Sequence, residues 1–69
     1  MRVCPFCGYE FHLLKKRKDE LIKYNILRMR CNNCGKMFEV QRVNTSVYLR
    51  YNDGEGSVRE RIGAIAEFI

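Results

Sequence analysis

The pattern of polar and apolar residues has a mixed periodicity, but it indicates several β-strands. Two stretches rich in β-branched, aromatic and aliphatic residues, Glu10–Lys16 and Leu21–Arg30, are joined by the polar segment Arg17–Glu20. The pattern therefore predicts a long hairpin with this segment at its tip. In the second strand the apolar face changes sides after Ile26, which indicates a bulge or a strand buried on both faces. Met37–Val43 predicts a third strand.

The C-terminal third shows two different periodicities. Val47–Tyr51 alternates strictly and predicts a fourth strand, and Asn52–Gly56 interrupts the pattern with turn residues. Ser57 and Glu60 have the spacing of a capping box, so a short helix is predicted from about residue 58. Either its apolar stripe packs on the sheet and enlarges a small core, or it docks a protein partner or a second copy of the chain. The stripe consists of Val58, Ile62, Ile65 and Ile69.

Two Cys-x-x-Cys-Gly motifs form the most specific pattern in the chain. Each motif predicts a tight turn, because its glycine can adopt the positive φ that directs backbone N–H groups towards sulfur. Four thiolates create the tetrahedral site that Zn²⁺ prefers when no position is left open for a substrate. We therefore expect one structural zinc ion. Its predicted ligands are Cys4, Cys7, Cys31 and Cys34.

A pair of disulfide bonds is the alternative for the same four cysteines. Disulfides would require an oxidising compartment and usually a secretory signal. Met1–Val3 leads directly into the first cysteine motif without an apolar segment, and no stretch approaches the ~18 apolar residues of a membrane span. The expected location is therefore the cytoplasm, without a membrane contact.

The chain has 69 residues, which is short for a stable core. Structural zinc in small peptides contributes on the order of 10 kcal/mol of apparent binding free energy. Removal of the metal is therefore expected to unfold at least residues 1–43.

Positive charge is concentrated in the N-terminal part. Residues 1–44 contain ten Lys or Arg and four acidic residues, whereas residues 45–69 contain three and four. A solvated surface is the ordinary explanation for a basic run, but on a rigid projection such a run can follow a phosphate backbone. Tyr24, Tyr9 or Phe11 would then stack on exposed bases. The predicted nucleic-acid contacts are Lys15, Lys16, Arg17, Lys18, Lys23, Arg28 and Arg30.

The two cysteine motifs resemble those of the zinc ribbon superfamily, which is found in ribosomal proteins, transcription factors and RNA polymerase subunits of archaea and eukaryotes. The resemblance covers residues 4 to about 42 and is specific for fold rather than for function. It implies a three-stranded antiparallel sheet on one zinc ion. We therefore expect a single zinc-stabilised β-rich domain. The ribbon would cover residues 1–44, and a C-terminal strand and amphipathic helix over residues 45–69 would pack on it or next to it.

Three narrower resemblances concern parts of the chain. Asp19-Glu20 is similar to the acidic pair that completes a catalytic magnesium site in transcript-cleavage factors, but that pair lies nearer the second cysteine motif and follows Arg-Ser-Ala. Leu27–Cys31 together with Met37–Val40 resembles the ribbons of the bacterial ribonucleotide reductase repressor and of phage late-gene activators. Cys4–Phe11 resembles the first cysteine motif of rubredoxin, an iron electron carrier, although the basic charge and the long insert differ from rubredoxin.

The sequence offers little for catalysis. His12 is the single histidine and lies on a predicted strand, so we expect a packed or surface residue rather than a base or ligand. Neither a Ser-His-Asp arrangement nor a phosphate-binding glycine loop is present, and no small-molecule substrate is indicated. The first hypothesis is a non-enzymatic protein that binds structured RNA in a larger assembly such as the ribosome. Docking on RNA polymerase or DNA is the second hypothesis, and an iron electron carrier is the third.

Overall fold

A computed structural model describes residues 2–68 of the chain. These residues form one α-helix and a four-stranded antiparallel sheet, in which the order of the strands in space follows their order in the chain. An isolated bridge also pairs Val3 with Glu10. The elements are α1 (Lys15–Tyr24), β1 (Ile26–Arg30), β2 (Met37–Val43), β3 (Ser46–Asn52), β4 (Ser57–Ala64) and a 3-10 turn (Ile65–Glu67). The fold is thus a small β-rich domain with one short helix.

Two predicted strands are present close to their expected bounds. Strand β2 spans Met37–Val43 as predicted, and β3 contains the predicted segment Val47–Tyr51. The turn between them includes Asn44, which adopts a left-handed φ of 55°. Val40 and Leu49 pair across these strands and are buried, as strict alternation predicts for a strand with one covered face.

The predicted hairpin over residues 10–30 is wrong, because its centre is the helix α1. Lys, Arg, Glu and Leu dominate this segment and are strong helix formers. The helix ends at Asn25, which adopts a left-handed φ of 64° and donates its backbone N–H to the carbonyl of Leu21. With ten residues α1 is short, and no helix within residues 2–68 combines the length and apolar composition needed to cross a bilayer.

The helix explains the apparent change of apolar face around Ile26. Leu21 is the one buried residue of α1, and Leu27 is buried on β1. Ile22 and Tyr24, which a continuous strand would place on one face, are instead 41% and 60% exposed. The pattern therefore reflects a transition from helix to strand rather than a bulge.

The predicted helix from residue 58 is also wrong, because residues 57–64 form the edge strand β4. Ser57 pairs with Asn52 of β3 rather than capping a helix. Glu60 does not complete a capping box but accepts a hydrogen bond from the Tyr51 hydroxyl at 2.8 Å. A tight turn returns the chain alongside β3, where β4 forms backbone hydrogen bonds with β3. These hydrogen bonds stabilise the strand more than a helix would be stabilised, because a helix this short is not stable alone.

The predicted docking stripe is consequently not a helix face. Val58 and Ile62 lie on β4, and Ile65 lies in the 3-10 turn. Ile62 and Ile65 pack against the buried core, and Val58 is half-buried opposite Tyr51. Ile69 lies outside the described residues.

The C-terminal turn closes over one end of the sheet. The pairing of β3 with β4 contains a bulge just before this turn, followed by Gly63 with a φ of 155°. A Cβ at Gly63 would press on the ring of Phe68, which is 3% exposed. The Arg2 guanidinium lies 4.9 Å from the centre of that ring and also donates to the Glu67 carbonyl. These contacts join the N-terminal segment to the C-terminal turn.

The buried side chains lie on one face of the sheet, here called the inner face. Leu27, Val40 and Leu49 are successive cross-strand neighbours on this face, and each is at most 2% exposed. Leu21 of α1 and Leu13 of the N-terminal segment join the same cluster. The opposite face, here called the outer face, has no helix packed on it within residues 2–68, and its side chains are half-buried or exposed.

Leu21→Ala should lower the free energy of unfolding by about 2–5 kcal/mol, because it removes the one buried side chain of α1. Ile22→Ala is the matched control, and we expect a change within about 0.5 kcal/mol because this side chain is 41% exposed. Urea unfolding followed by circular dichroism measures both variants. Equal losses would contradict the helix and favour a strand buried on both faces.

Candidate functional site

The two Cys-x-x-Cys-Gly motifs fold into turns with the same hydrogen bonds. The first turn lies in the N-terminal segment, and the second connects β1 to β2. Cys4 donates its backbone N–H to the Tyr9 carbonyl at 2.8 Å, and Cys31 donates to the Lys36 carbonyl at 2.9 Å. In both turns the glycine donates to the carbonyl of the first cysteine at 2.9 Å and has a φ of 77°. The positive φ expected at these glycines is therefore present in both turns.

Backbone and side-chain N–H groups point at the sulfur atoms. The Phe6 N–H group lies 3.4 Å from Cys4 Sγ, and the equivalent N–H of Asn33 lies 3.4 Å from Cys31 Sγ. The side-chain amide of Asn33 also donates to Cys7 Sγ at 3.6 Å. Because phenylalanine holds the equivalent position in the first turn, this side-chain donor occurs in the second turn only.

The turns bring the four cysteines together. Cys4 Sγ lies 3.7 Å from Cys34 Sγ, and Cys7 Sγ lies 3.6 Å from Cys31 Sγ, so each close pair joins one turn to the other. The four sulfur atoms all lie within 4.8 Å of one another, and no disulfide links them. Cys4 and Cys31 are buried, whereas the other two are exposed. The four cysteines therefore form a cluster that could hold a metal ion.

Hydrogen bonds and crowding separate the pKa values of the thiols. The Cys34 backbone N–H, assisted by that of Asn33, lowers the pKa of Cys31 to about 6. The Asn33 side-chain amide is the largest cause of the lowered pKa of Cys7. The Lys36 backbone N–H acts to lower the pKa of Cys34, but burial and the neighbouring thiols outweigh it and raise that pKa to about 11. Part of the cluster thus ionises readily, and a bound cation would favour ionisation of the rest.

Aromatic contacts fix the first cysteine turn against the sheet. The rings of Phe6 and Tyr51 meet edge to face, with centroids 5.4 Å apart and an interplanar angle of 72°. Lys36 follows the second cysteine motif in the chain, and its ammonium lies 4.9 Å from the centre of the Phe6 ring. Phe11 packs against Phe38 with centroids 5.4 Å apart. The cysteine cluster is therefore continuous with the core.

The outer face carries a row of charged residues aligned across all four strands. Arg28, Glu39, Arg50 and Arg59 are successive cross-strand partners from β1 to β4. The Glu39 carboxylate lies 3.5 Å from Arg28 Nε and 2.9 Å from Arg50 Nη1, so its charge is offset by the neighbouring arginines. The outer face has five arginines in total, Arg28, Arg30, Arg50, Arg59 and Arg61. Against one carboxylate, this makes the face strongly positive.

Tyr48 places an aromatic ring within the same face. The Arg59 guanidinium carbon lies 4.5 Å from the centre of that ring, and Arg61 is the cross-strand partner of Tyr48. Ile26 and Met37, on the same face, are 42% and 51% exposed. The face therefore combines cationic, aromatic and apolar groups.

The seven basic residues predicted to contact nucleic acid lie on two different surfaces. Arg17 donates to the Arg28 carbonyl at 2.6 Å and pairs with Glu20 at 3.1 Å, so it ties α1 to β1. The structure places Arg28 and Arg30 on the outer face and places Lys15, Lys16, Arg17, Lys18 and Lys23 on α1.

Four residues of the outer face were not predicted as nucleic-acid contacts from the sequence, namely Tyr48, Arg50, Arg59 and Arg61. Three are arginines from the C-terminal part of the chain, whose net charge is close to zero. A signal was present, because residues 58–62 alternate between Val58, Glu60 and Ile62 on one side and two arginines on the other. The capping-box interpretation concealed this alternation.

The remaining candidates lie elsewhere. His12 is at the surface, with Nε2 3.4 Å from a Glu10 carboxylate oxygen. Tyr9 and Tyr24 are 50% and 60% exposed, whereas Phe11 is half-buried and packs against the core. None of these lies among the paired positions of the outer face.

Comparisons with known protein families, with curated proteins and with solved structures give no match for this chain. The likeness to a zinc ribbon therefore depends on the two cysteine motifs and on the sulfur cluster that they form.

Asn33→Ala should weaken metal binding about tenfold, because it removes the side-chain donor to Cys7 Sγ. Asn32→Ala, at the neighbouring exposed position, is the matched control and should leave the affinity unchanged. Competition with a chromophoric chelator measures both. If the two variants bind metal equally well, the Asn33 amide does not support the site.

Proposed function

We propose that this chain is a non-enzymatic nucleic-acid-binding protein whose four cysteines hold one structural zinc ion. At a Zn–S distance of ~2.3 Å, a regular tetrahedron of sulfur has edges of about 3.8 Å. Two of the sulfur separations, at 3.6 and 3.7 Å, are close to that edge. Four cysteine ligands leave no coordination position for a substrate, so the ion would have a structural role.

The purified chain should contain one zinc ion and show no visible absorption, because zinc has a filled d shell. Removal of the ion by a strong chelator should unfold the N-terminal segment, since this segment is joined to β1 and β2 through the sulfur cluster. Elemental analysis and amide hydrogen exchange measure the two effects. Visible absorption with bound iron would favour the electron carrier instead, and unchanged exchange after metal removal would contradict the structural role.

The arginines of the outer face are the observation that supports the nucleic-acid proposal most directly. A guanidinium donates two parallel hydrogen bonds to a phosphate and keeps its charge at any physiological pH. The row formed by Arg28, Arg50 and Arg59 crosses the sheet from one edge to the other, and its one acidic member is already paired. Neutralisation of backbone phosphates releases counterions and supplies most of the affinity of such a surface.

RNA in a ribonucleoprotein, such as the ribosome, is the favoured partner, in the cytoplasm. RNA in such assemblies presents phosphates together with loops whose bases are accessible. Docking on RNA polymerase was expected to depend on the C-terminal apolar stripe, but Ile62 and Ile65 are partly buried against the core and do not form a helix face. This arrangement gives less support to docking through the stripe than to RNA binding through the outer face.

The double variant Arg59→Gln/Arg61→Gln should weaken RNA binding and reduce the slope of log K against log salt by about 1 to 2, because two phosphate contacts are lost. Lys15→Gln/Lys16→Gln removes the same charge from α1 and should have little effect. Fluorescence anisotropy over a range of salt concentrations measures both, with metal content as the check on folding. An equal or larger loss for the lysine variant would move the binding surface to α1.

A further inference from the structure

We infer that the outer face binds single-stranded nucleic acid, with an unpaired base stacked on the group formed by Tyr48 and Arg59. The inference rests on the proposed nucleic-acid binding and specifies the form of the ligand. It is supported by the dimensions of the sheet, by the exposed apolar side chains of the face and by the arrangement of cations around Tyr48.

The sheet is too broad to enter a groove of a duplex. Neighbouring strands lie ~4.8 Å apart, so the four backbones span about 14 Å before side chains are added. The major groove of B-DNA is about 12 Å wide and admits a helix or a two-stranded ribbon. A duplex would therefore contact this face through phosphates alone. Tyr48 is on β3, an interior strand, and would reach no base.

The apolar side chains of the face need a partner that phosphates do not provide. Ile26, Met37 and Val43 are 42%, 51% and 42% exposed, and they share the face with Tyr48. Phosphate oxygens gain nothing from contact with these groups, whereas the face of an unpaired base does. The mixture of cations with aromatic and apolar groups is therefore better matched to a single strand than to a duplex.

The Tyr48–Arg59 group has the composition of a stacking platform. The guanidinium carbon is held 4.5 Å from the ring centre, and bases stack on both aromatic rings and guanidinium planes. Arg50 lies beside Arg59 across the strands, and Arg61 follows two residues along β4. A base on this platform would thus have a cation on either side for the adjoining phosphates.

A cleft of about 420 Å³ extends this surface towards the turn between β3 and β4. Arg28 and Arg50 border it together with Glu39, whose carboxylate pairs with both, and Met37 contributes an apolar wall. Asn52 and Ser57 add groups that donate and accept hydrogen bonds. The cleft therefore offers room for a second base next to the arginine row.

The test compares a short labelled single-stranded RNA without self-complementarity with a duplex RNA of the same sequence. Both are titrated with the zinc-loaded chain and followed by fluorescence anisotropy. We expect the single strand to bind at least about tenfold more tightly, because the stacking contacts are lost in the duplex. Tyr48→Leu should weaken single-strand binding about tenfold and leave duplex binding unchanged. Arg59→Lys keeps the charge but removes the planar group, so it should act in the same direction.

Tyr24→Leu is the matched control, because it makes the same change on α1, where the Lys23 ammonium lies 5.3 Å from the ring centre. Metal content and circular dichroism verify that each variant is folded. Tighter binding of the duplex would overturn the inference and leave the proposed function intact, as would a loss caused by Tyr24→Leu but not by Tyr48→Leu. Failure of both ligands to bind would overturn the proposed function itself.

Discussion

The sulfur cluster is the interaction on which the rest of the structure depends. Residues 2–14 contain no regular element beyond the isolated bridge of Val3 with Glu10, and the hydrogen bonds of their cysteine turn lie within the segment itself. Their place over the sheet is set by the sulfur contacts of Cys4 and Cys7 and by packing contacts that include Phe6 with Tyr51 and Phe11 with Phe38. The second cysteine turn also connects β1 to β2. One cluster therefore fixes the N-terminal segment and the turn between β1 and β2 together, and a bound cation would make four close thiolates compatible with one another.

The register of the sheet couples the core to the charged surface on its other side. Side chains alternate along a strand, so the alignment of Leu27, Val40 and Leu49 on the inner face also aligns the adjacent arginines on the outer face. A shift of one residue in any pairing would move charged groups into the core and apolar groups to the surface. Burial of the apolar row therefore specifies where the arginines of the outer face lie.

The parts of the molecule that follow from local chemistry could be predicted from the sequence, and those that depend on pairing could not. The spacing of the cysteines and the glycines after them was sufficient to predict the sulfur cluster, because each turn is closed by its own hydrogen bonds. Strand β3 followed from strict alternation, and β2 followed from the alternation of Phe38 and Val40 with Glu39 and Gln41. Residues 57–64 have a capping pattern that predicts a helix, but they form a strand because they pair with β3. Helix α1 was not predicted because Leu21 is its one buried residue, so the segment has no apolar stripe. The outer face could not be recognised before the register was known.

The net charge of a sequence segment does not show where positive charge lies on the folded surface of this chain. The basic N-terminal part supplies α1, whose lysines are spread over a helix, and it supplies only Arg28 and Arg30 to the outer face. The nearly neutral C-terminal part supplies the other three arginines, while its acidic residues lie in the turn before β4, on the inner side at Glu60 or in the final turn at Glu67. The positive face is therefore created by folding rather than carried by one segment. Since β1 and β2 are joined through the second cysteine turn, the strand that presents Arg28 and Arg30 leads directly into the sulfur cluster. A metal ion held by that cluster would thus help to keep β1 and β2 in the register that aligns Arg28 with Glu39.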